Sequence, residues 1–260
     1  MPLLELTDAQ LTSWLGAWLW PLFRVMGFVM TVPLLGSNFV PMRVRLVLAL
    51  AITLPVAPLV GPLPVVEALS IEAILIVLQQ VLIGAALGFF LQIVFQIFVL
   101  TGQMIAMQMG LGFAAMVDPS TGVNTAVLST FYLMFASLLF ISFDGHLIMI
   151  RILAESFQTL PVAASGVGDT FILQILSTIS WAFSSALVLA LPAVTALLMT
   201  NFAFGIMTRA APQMNIFALG FPSALMLGLF VVWLLTGTIL ESINNLFAEA
   251  FAMMRGMTGS

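Results

Sequence analysis

The sequence of 260 residues contains no cysteine and no lysine, and His146 is its single histidine. The absence of cysteine excludes disulfides, thiolate catalysis and cysteine-ligated metal sites, and a single histidine excludes a histidine cluster. Six arginines face ten acidic residues, so the chain also lacks the basic surface that nucleic-acid binding requires. We expect no metal, no cofactor and no nucleic-acid partner.

Charged residues are scarce, at 6% of the chain, whereas hydrophobic residues make up 62%. A soluble domain averages about 25% charged residues and about 45–50% apolar ones. The composition therefore predicts an integral membrane protein of the all-α class. Turn-forming residues divide the single expected domain, 1–260, into six apolar segments at about 11–35, 43–60, 71–109, 125–153, 171–207 and 214–251.

The third apolar segment, 71–109, is longer than a membrane span requires. As a helix it would be about 58 Å long, whereas the hydrocarbon core of a bilayer is about 30 Å thick. Such a helix must bend, tilt strongly or extend beyond the bilayer inside a protein assembly. The arginines indicate no orientation, because a six-span arrangement puts Arg43, Arg45 and Arg209 on one side and Arg151 and Arg255 on the other.

Three glutamines of the third segment, Gln92, Gln96 and Gln103, fall within about 40° of one another on a helical wheel. An amide that faces lipid without a partner costs several kcal/mol. Two interpretations are open: hydrogen bonds between helices of this chain, or an interface to other subunits or to a wet lumen. Gly84 and Gly88 would permit close helix contact in either case.

Enzyme chemistry finds little support. A nucleophilic serine turn is absent, and the Gly-x-Gly-Asp stretch at 166–169 lacks the second membrane-embedded aspartate that an aspartyl protease needs. A helix N-cap explains Asp169 better.

A small-molecule or ion transporter is an alternative, but it would place ionisable residues at mid-membrane depth. The mid-segment charge is Arg24, which either has a functional role or is a structural residue bonded to backbone carbonyls or a partner carboxylate.

Three stretches interrupt the apolar pattern: GQMIAMQMGLGFAAMVDPSTG (102–122), FDGHLIMIRILAESFQTLP (143–161) and TRAAPQMNIFALGFP (208–222). In the first, glycines end the long helix, and the methionines either seal a cavity or fill a core. The second predicts a structural turn at Asp144, Gly145 and His146, with His146 hydrogen-bonded at a helix start. In the third, Arg209 suits a helix C-terminus, and two prolines would set the bend between the last long helices.

These stretches together resemble the FliR family of the flagellar type III export apparatus. RAAPQMNIFALGFP (209–222) is similar to the family's signature, and QMGLGF (108–113) followed by Asp118-Pro119 looks like its central loop. Asp144-Gly145-His146 with the later Glu-Ser-Phe (155–157) is similar to its fourth-segment pattern. The WPLFR stretch (20–24) and the arginines of VPMRVR (40–45) fit too, so the resemblance covers essentially the full length.

The resemblance implies a non-enzymatic subunit that joins FliP and FliQ in the export gate of the bacterial inner membrane and flagellar basal body. It further implies long kinked helical hairpins packed in a helical assembly, part of which lies above the bilayer plane. FlhB and FlhA would be neighbouring partners, and unfolded flagellar proteins would be the exported substrates. The homologous injectisome subunit is the close alternative, although the Gly-Phe-Pro ending at 220–222 resembles the flagellar version more.

The site residues predicted from the pattern and from the resemblance form two groups. The pore plug or gate comprises Met109, Gly110, Leu111, Gly112, Phe113, Met116, Asp118 and Pro119, with Phe113 pointing inward. Residues predicted to pack against other subunits or to support assembly are Arg24, Gln92, Gln96, Gln103, Arg209, Pro212, Gln213, Asn215, Phe217, Gly220 and Pro222.

Overall fold

Long apolar helices form nearly all of the structure. A computed structural model of the chain describes residues 8–36, 40–64, 66, 70–111, 127–163, 169–210 and 216–258. Within these ranges there are seven α-helices and no strand, which confirms the all-α prediction. In chain order they are α1 Asp8–Thr31, α2 Met42–Val56, α3 Ile71–Gln108, α4 Val127–Ser142, α5 Gly145–Thr159, α6 Asp169–Ala210 and α7 Ile216–Thr258.

The fourth predicted segment is not one helix. The chain turns between α4 and α5, and the two helices meet at 69°. Asp144 adopts the left-handed conformation at the turn, with φ of 55°, a conformation that aspartate tolerates better than most residues. Its carbonyl oxygen then accepts hydrogen bonds from the backbone N–H of Leu147 and Ile148 at 2.9 and 3.1 Å. The predicted turn therefore exists, but it divides the segment.

Four helical stretches in the described part of the chain are long and apolar enough to span a membrane: Met42–Leu59, Ile71–Gln108, Leu173–Ala210 and Pro222–Thr258. The bent pair of α4 and α5 would make a fifth. Helix α1, the first predicted segment, is not among them, because Arg24 and several tryptophans lower its hydropathy. These candidate spans confirm the prediction of a membrane protein. The described residues contain four or five of them, whereas the sequence suggested six.

The longest helices exceed the thickness of a bilayer. Helix α3 has 38 residues, α6 has 42 and α7 has 43, so their lengths are about 57, 63 and 65 Å at 1.5 Å per residue. A hydrocarbon core of about 30 Å covers roughly half of each. Pro192 lies inside α6 and Pro222 inside α7, where each proline removes one backbone hydrogen bond and favours a bend.

Two compact units divide the chain. Unit 1 comprises Met1–Ile93, Asp144–Thr178 and Glu249–Ser260, and unit 2 comprises Val94–Phe143 and Ile179–Ala248. The core of unit 2 includes a phenylalanine cluster, in which the ring centroid of Phe247 lies 5.4 to 5.8 Å from those of Phe95, Phe98 and Phe140. Three of the four bounds between the units fall inside α3, α6 and α7, and the fourth lies at the turn between α4 and α5. The single domain over 1–260 stays a prediction.

Candidate functional site: a buried arginine and the end of the third helix

Arg24 is the centre of a polar cluster inside unit 1. It lies in α1, one turn after Pro21, and its side chain is 0% exposed. Its Nε donates to Oε1 of Gln80 in α3 at 2.8 Å. Its Nη1 donates to the carbonyl oxygen and the hydroxyl of Ser156 at 2.8 and 3.1 Å, and its Nη2 donates to the carbonyl oxygen of Leu160 at 2.7 Å. The guanidinium therefore ties α1 to α3 and to the end of α5.

The position of the guanidinium suits its charge. The carbonyls at the end of a helix have no partner within the helix, and their partial negative charge favours a cation. Leu160 supplies such a carbonyl at the C-terminal end of α5. The carbonyl of Ser156 belongs to the same last turn and also accepts the N–H of Leu160 at 2.9 Å. The ring of Phe157 adds a cation–π contact, with its centroid 4.1 Å from Cζ of Arg24.

These contacts support the structural interpretation of Arg24. The side chain is bonded to backbone carbonyls of its own chain, as the structural interpretation states. Because it is fully buried, it cannot contact another subunit directly. Its predicted role in assembly could act only through the helices that it holds together.

Near this cluster, α1 and α3 are in close contact. A Cβ added to Gly84 would overlap the carbonyl oxygen of Arg24, and one added to Gly27 would lie 3.2 Å from the backbone N of Ala85. The hydroxyl of Thr31 in α1 donates across the contact to the carbonyl oxygen of Ala85 at 3.1 Å. Small residues and interhelical hydrogen bonds of this kind drive helix association in membranes. The prediction that Gly84 permits close helix contact is confirmed.

The end of α3 lies in unit 2, where the predicted plug begins. The N–H of Leu111 donates to the carbonyl of Ala106 and that of Gly110 to the carbonyl of Met107, at 3.0 and 3.1 Å. With Gly110 at φ of 82°, this is the Schellman arrangement that ends helices at glycine. The glycine therefore ends the helix as predicted.

The predicted plug residues have different positions. Met109 is buried, and its side chain is the nearest neighbour of a Cβ added to Gly228 in α7. It therefore fills the core of unit 2, one of the two roles left open for the methionines, and its place in the plug stays a prediction. Gly110 and Leu111 are partly exposed. Gly112, Phe113, Met116, Asp118 and Pro119 lie outside the described residues.

The glutamines of α3 divide into two kinds. Gln92, Gln96 and Gln103 are exposed, and among the described residues their side chains have none of the hydrogen bonds to other helices that one interpretation expected. Gln80 is fully buried and accepts the hydrogen bond from Arg24, although helical periodicity did not single it out. Its partner lies 56 residues away, and no local pattern connects the two.

The turn between α4 and α5 keeps Gly145 buried and Asp144 exposed. His146 does not make the expected hydrogen bond through Nδ1, since this atom is buried without a partner among the described residues. The start of α5 is held instead by the carbonyl oxygen of Asp144, which accepts hydrogen bonds from two backbone N–H groups.

The stretch at 208–222 is mostly helical. Arg209 is exposed in the last turn of α6, where a cation is favourable. Gly220 is partly exposed, and Pro222 is exposed and lies inside α7, within the sixth predicted segment. Phe217 belongs to α7, but its side chain is not among those described. Pro212, Gln213 and Asn215 lie outside the described residues.

Within the described ranges, no group of three or more histidine, aspartate or glutamate side chains could hold a metal ion.

Comparison with known proteins shows the family of the chain. The family described as "Bacterial export proteins, family 1" matches residues 15–250. The flagellar biosynthetic protein FliR of Escherichia coli K12 is 40% identical over 252 residues, which cover 97% of this chain and 96% of that protein. The FliR of Pectobacterium carotovorum is 36% identical with the same coverage, and that of Aquifex aeolicus is 30% identical over 88% of each chain. The candidate spans and these relatives mark a membrane protein of an export-protein family and not of an enzyme family. The chain belongs to the FliR family of bacterial export proteins.

Proposed function

We propose that this chain is a structural, channel-forming subunit of the flagellar protein export gate in the bacterial inner membrane. Similarity to FliR proteins over nearly the whole length is the observation that carries the proposal. Since these relatives are named as flagellar biosynthetic proteins, the flagellar apparatus is favoured over the injectisome.

The surface of the chain supports a place within a larger assembly. Helices of about 57 to 65 Å leave roughly half of their length outside a bilayer core. Large apolar side chains are exposed on these helices, such as Phe202 of α6 at 67% and Trp233 of α7 at 69%. Where such a surface extends beyond the lipid, it needs a protein neighbour.

The neighbours in this proposal are FliP and FliQ within the gate, and FlhB and FlhA beside it. The exposed amides of Gln92, Gln96 and Gln103 would face these subunits or the wet lumen, because each amide needs a hydrogen-bond partner that lipid does not offer. The loop after Gly110 would plug the pore through which unfolded flagellar proteins are exported.

Purification of the tagged chain from its own cells, followed by mass measurement of the intact complex, tests the proposal. We expect the chain to be recovered in one assembly with FliP- and FliQ-like proteins and to be unstable when produced alone. Recovery as a stable monomer that binds a small solute would refute the gate and favour a transporter.

A further inference from the structure

The C-terminal part of α3 is packed against two other helices of unit 2. The hydroxyl of the buried Thr101 donates to the carbonyl oxygen of Ala186 in α6 at 3.3 Å. One residue later, a Cβ added to Gly102 would lie 2.6 Å from Cα of Ser129 in α4, so these two backbones are in contact. Interhelical hydrogen bonds and small residues at such contacts hold membrane helices together. This part of α3 therefore has a fixed position within unit 2.

The last turn of α3 has a donor for each of its four terminal carbonyl oxygens. Such carbonyls have no partner within the helix itself, and α3 ends at Gln108. The carbonyls of Ile105, Ala106 and Met107 accept N–H groups of the closing turn at 3.0 to 3.1 Å. The carbonyl of Gln108 accepts the side-chain Nδ2 of Asn201 in α6 at 3.2 Å. Asn201 thus completes the set from another helix.

Gly228 of α7 makes room for the next residue, Met109. Both residues are buried, and a Cβ added to Gly228 would overlap Cγ of Met109 and lie 2.8 Å from its sulfur. A glycine inside a helix weakens that helix relative to alanine, so the space for Met109 explains why α7 carries one here. Gly237 of the same helix has no atom within 4 Å of its Cβ position, which makes it a matched comparison.

We propose that Asn201 and Gly228 are positioning residues that hold the last turn of α3 and thereby fix where the following loop starts. This inference rests on the proposed function, which gives that loop the role of a plug. Gly110 turns the chain at φ of 82° directly after the two contacts. A displacement of Gln108 or Met109 is therefore passed on to the start of the loop.

The variant N201D tests the contact with α6. Aspartate has the shape of asparagine, but its carboxylate has no proton to donate, and the C-terminal end of a helix repels a negative charge. The membrane conductance per assembled complex should rise about two- to tenfold, the factor that corresponds to one lost hydrogen bond. N245D makes the same substitution at an exposed asparagine of α7 and should match the wild type.

The variant G228A tests the contact with α7 without a change of charge. The added methyl group displaces Met109, so the conductance per assembled complex should rise again, whereas G237A should match the wild type. Both substitutions lie in α7 and bring the same gain in helix propensity, so their difference isolates the contact. A merely structural loss lowers the amount of complex and leaves the conductance of each remaining pore unchanged.

Alkylation of a thiol reports on the start of the loop directly. The chain contains no cysteine, so L111C introduces its single thiol at a partly exposed position. In the intact complex, N201D should raise the rate of alkylation of this thiol about two- to tenfold, and N245D should leave the rate unchanged. Equal rates with and without N201D would overturn the positioning role of Asn201.

The outcomes separate the two proposals. If the wild type forms no assembly, or if an assembled complex without residues 110–116 stays tight, the proposed function fails. If that deletion leaks but N201D and G228A conduct like the wild type, the positioning role alone is overturned. It is also overturned if N245D and G237A leak as strongly, because the effect would then not depend on α3.

Discussion

The Nε of Arg24 donates to Oε1 of Gln80 at 2.8 Å, which joins α1 and α3 deep inside unit 1. The same guanidinium binds the carbonyls of Ser156 and Leu160 at the end of α5. One side chain thus fixes three helices that lie far apart in the sequence. Because the guanidinium supplies donors to all three residues, its loss removes a hydrogen-bond partner from the buried Oε1 of Gln80 and from the carbonyl of Leu160.

Replacing Arg24 by methionine should destabilise unit 1 by about 3–5 kcal/mol, the cost of breaking a buried charged cluster by removing one partner. The unfolding temperature of the purified complex measures this loss. Arg24→Lys keeps the charge but loses the planar fork, so we expect an intermediate value. Equal stability of the methionine variant and the wild type would contradict a structural role for the cluster.

Replacing Gly84 by alanine should weaken the contact of α1 with α3. The added Cβ would overlap the carbonyl oxygen of Arg24, which is backbone and cannot swing aside, and such overpacking costs about 1–3 kcal/mol. Gly205→Ala in α6 is the matched control, because no atom lies within 4 Å of its Cβ position. Alanine there should leave stability unchanged or raise it by up to about 1 kcal/mol through helix propensity. Similar losses in both variants would argue against the close contact.

Exchanging the exposed amides for leucine tests their environment. If Gln96 and Gln103 face other subunits or a lumen, the double leucine variant should lower the yield of intact complex, since it removes hydrogen bonds made outside the chain. If they face lipid, leucine should increase the yield, because an amide in hydrocarbon is costly. Exposed Leu82 of α3 changed to methionine serves as a control for surface substitution.

Deletion of residues 110–116 tests the plug. The deletion starts at the glycine that ends α3, so the helix itself is retained. We expect ions or small solutes to leak across the membrane while the complex still assembles, which conductance and complex yield measure together. A tight membrane with a normally assembled complex would count against the plug.

Arg209→Ala and Asn215→Ala test the stretch between α6 and α7. Arg209 is exposed at the end of α6, and Asn215 directly precedes α7. Each substitution should lower the yield of intact complex more than the conductance of the pores that still form. Wild-type yields in both variants would contradict an assembly role. Arg43→Ala, another exposed arginine, controls for the loss of one charge.

Local features of the structure followed from sequence. Gly110 ends α3, as expected of a residue without a Cβ, and Asp144 forms the turn before α5. The turn at Asp144 was predicted, but the division of the fourth segment into two helices at 69° was not, because hydropathy is continuous across the turn. The environment of Met109 could not be read from sequence. The pattern allowed the methionines either to seal a cavity or to fill a core, and Met109 packs against Gly228 in the core of unit 2.

Composition by itself determined the class of the protein, because a chain with 62% hydrophobic and 6% charged residues has its most stable environment in a membrane. Only the tertiary structure decided what each polar side chain does. Gln80 and Gln96 are chemically identical and occur on the same helix, yet one is buried against Arg24 and the other is exposed. Helical periodicity assigns a residue to a face, but the partner of that face comes from segments more than 50 residues away.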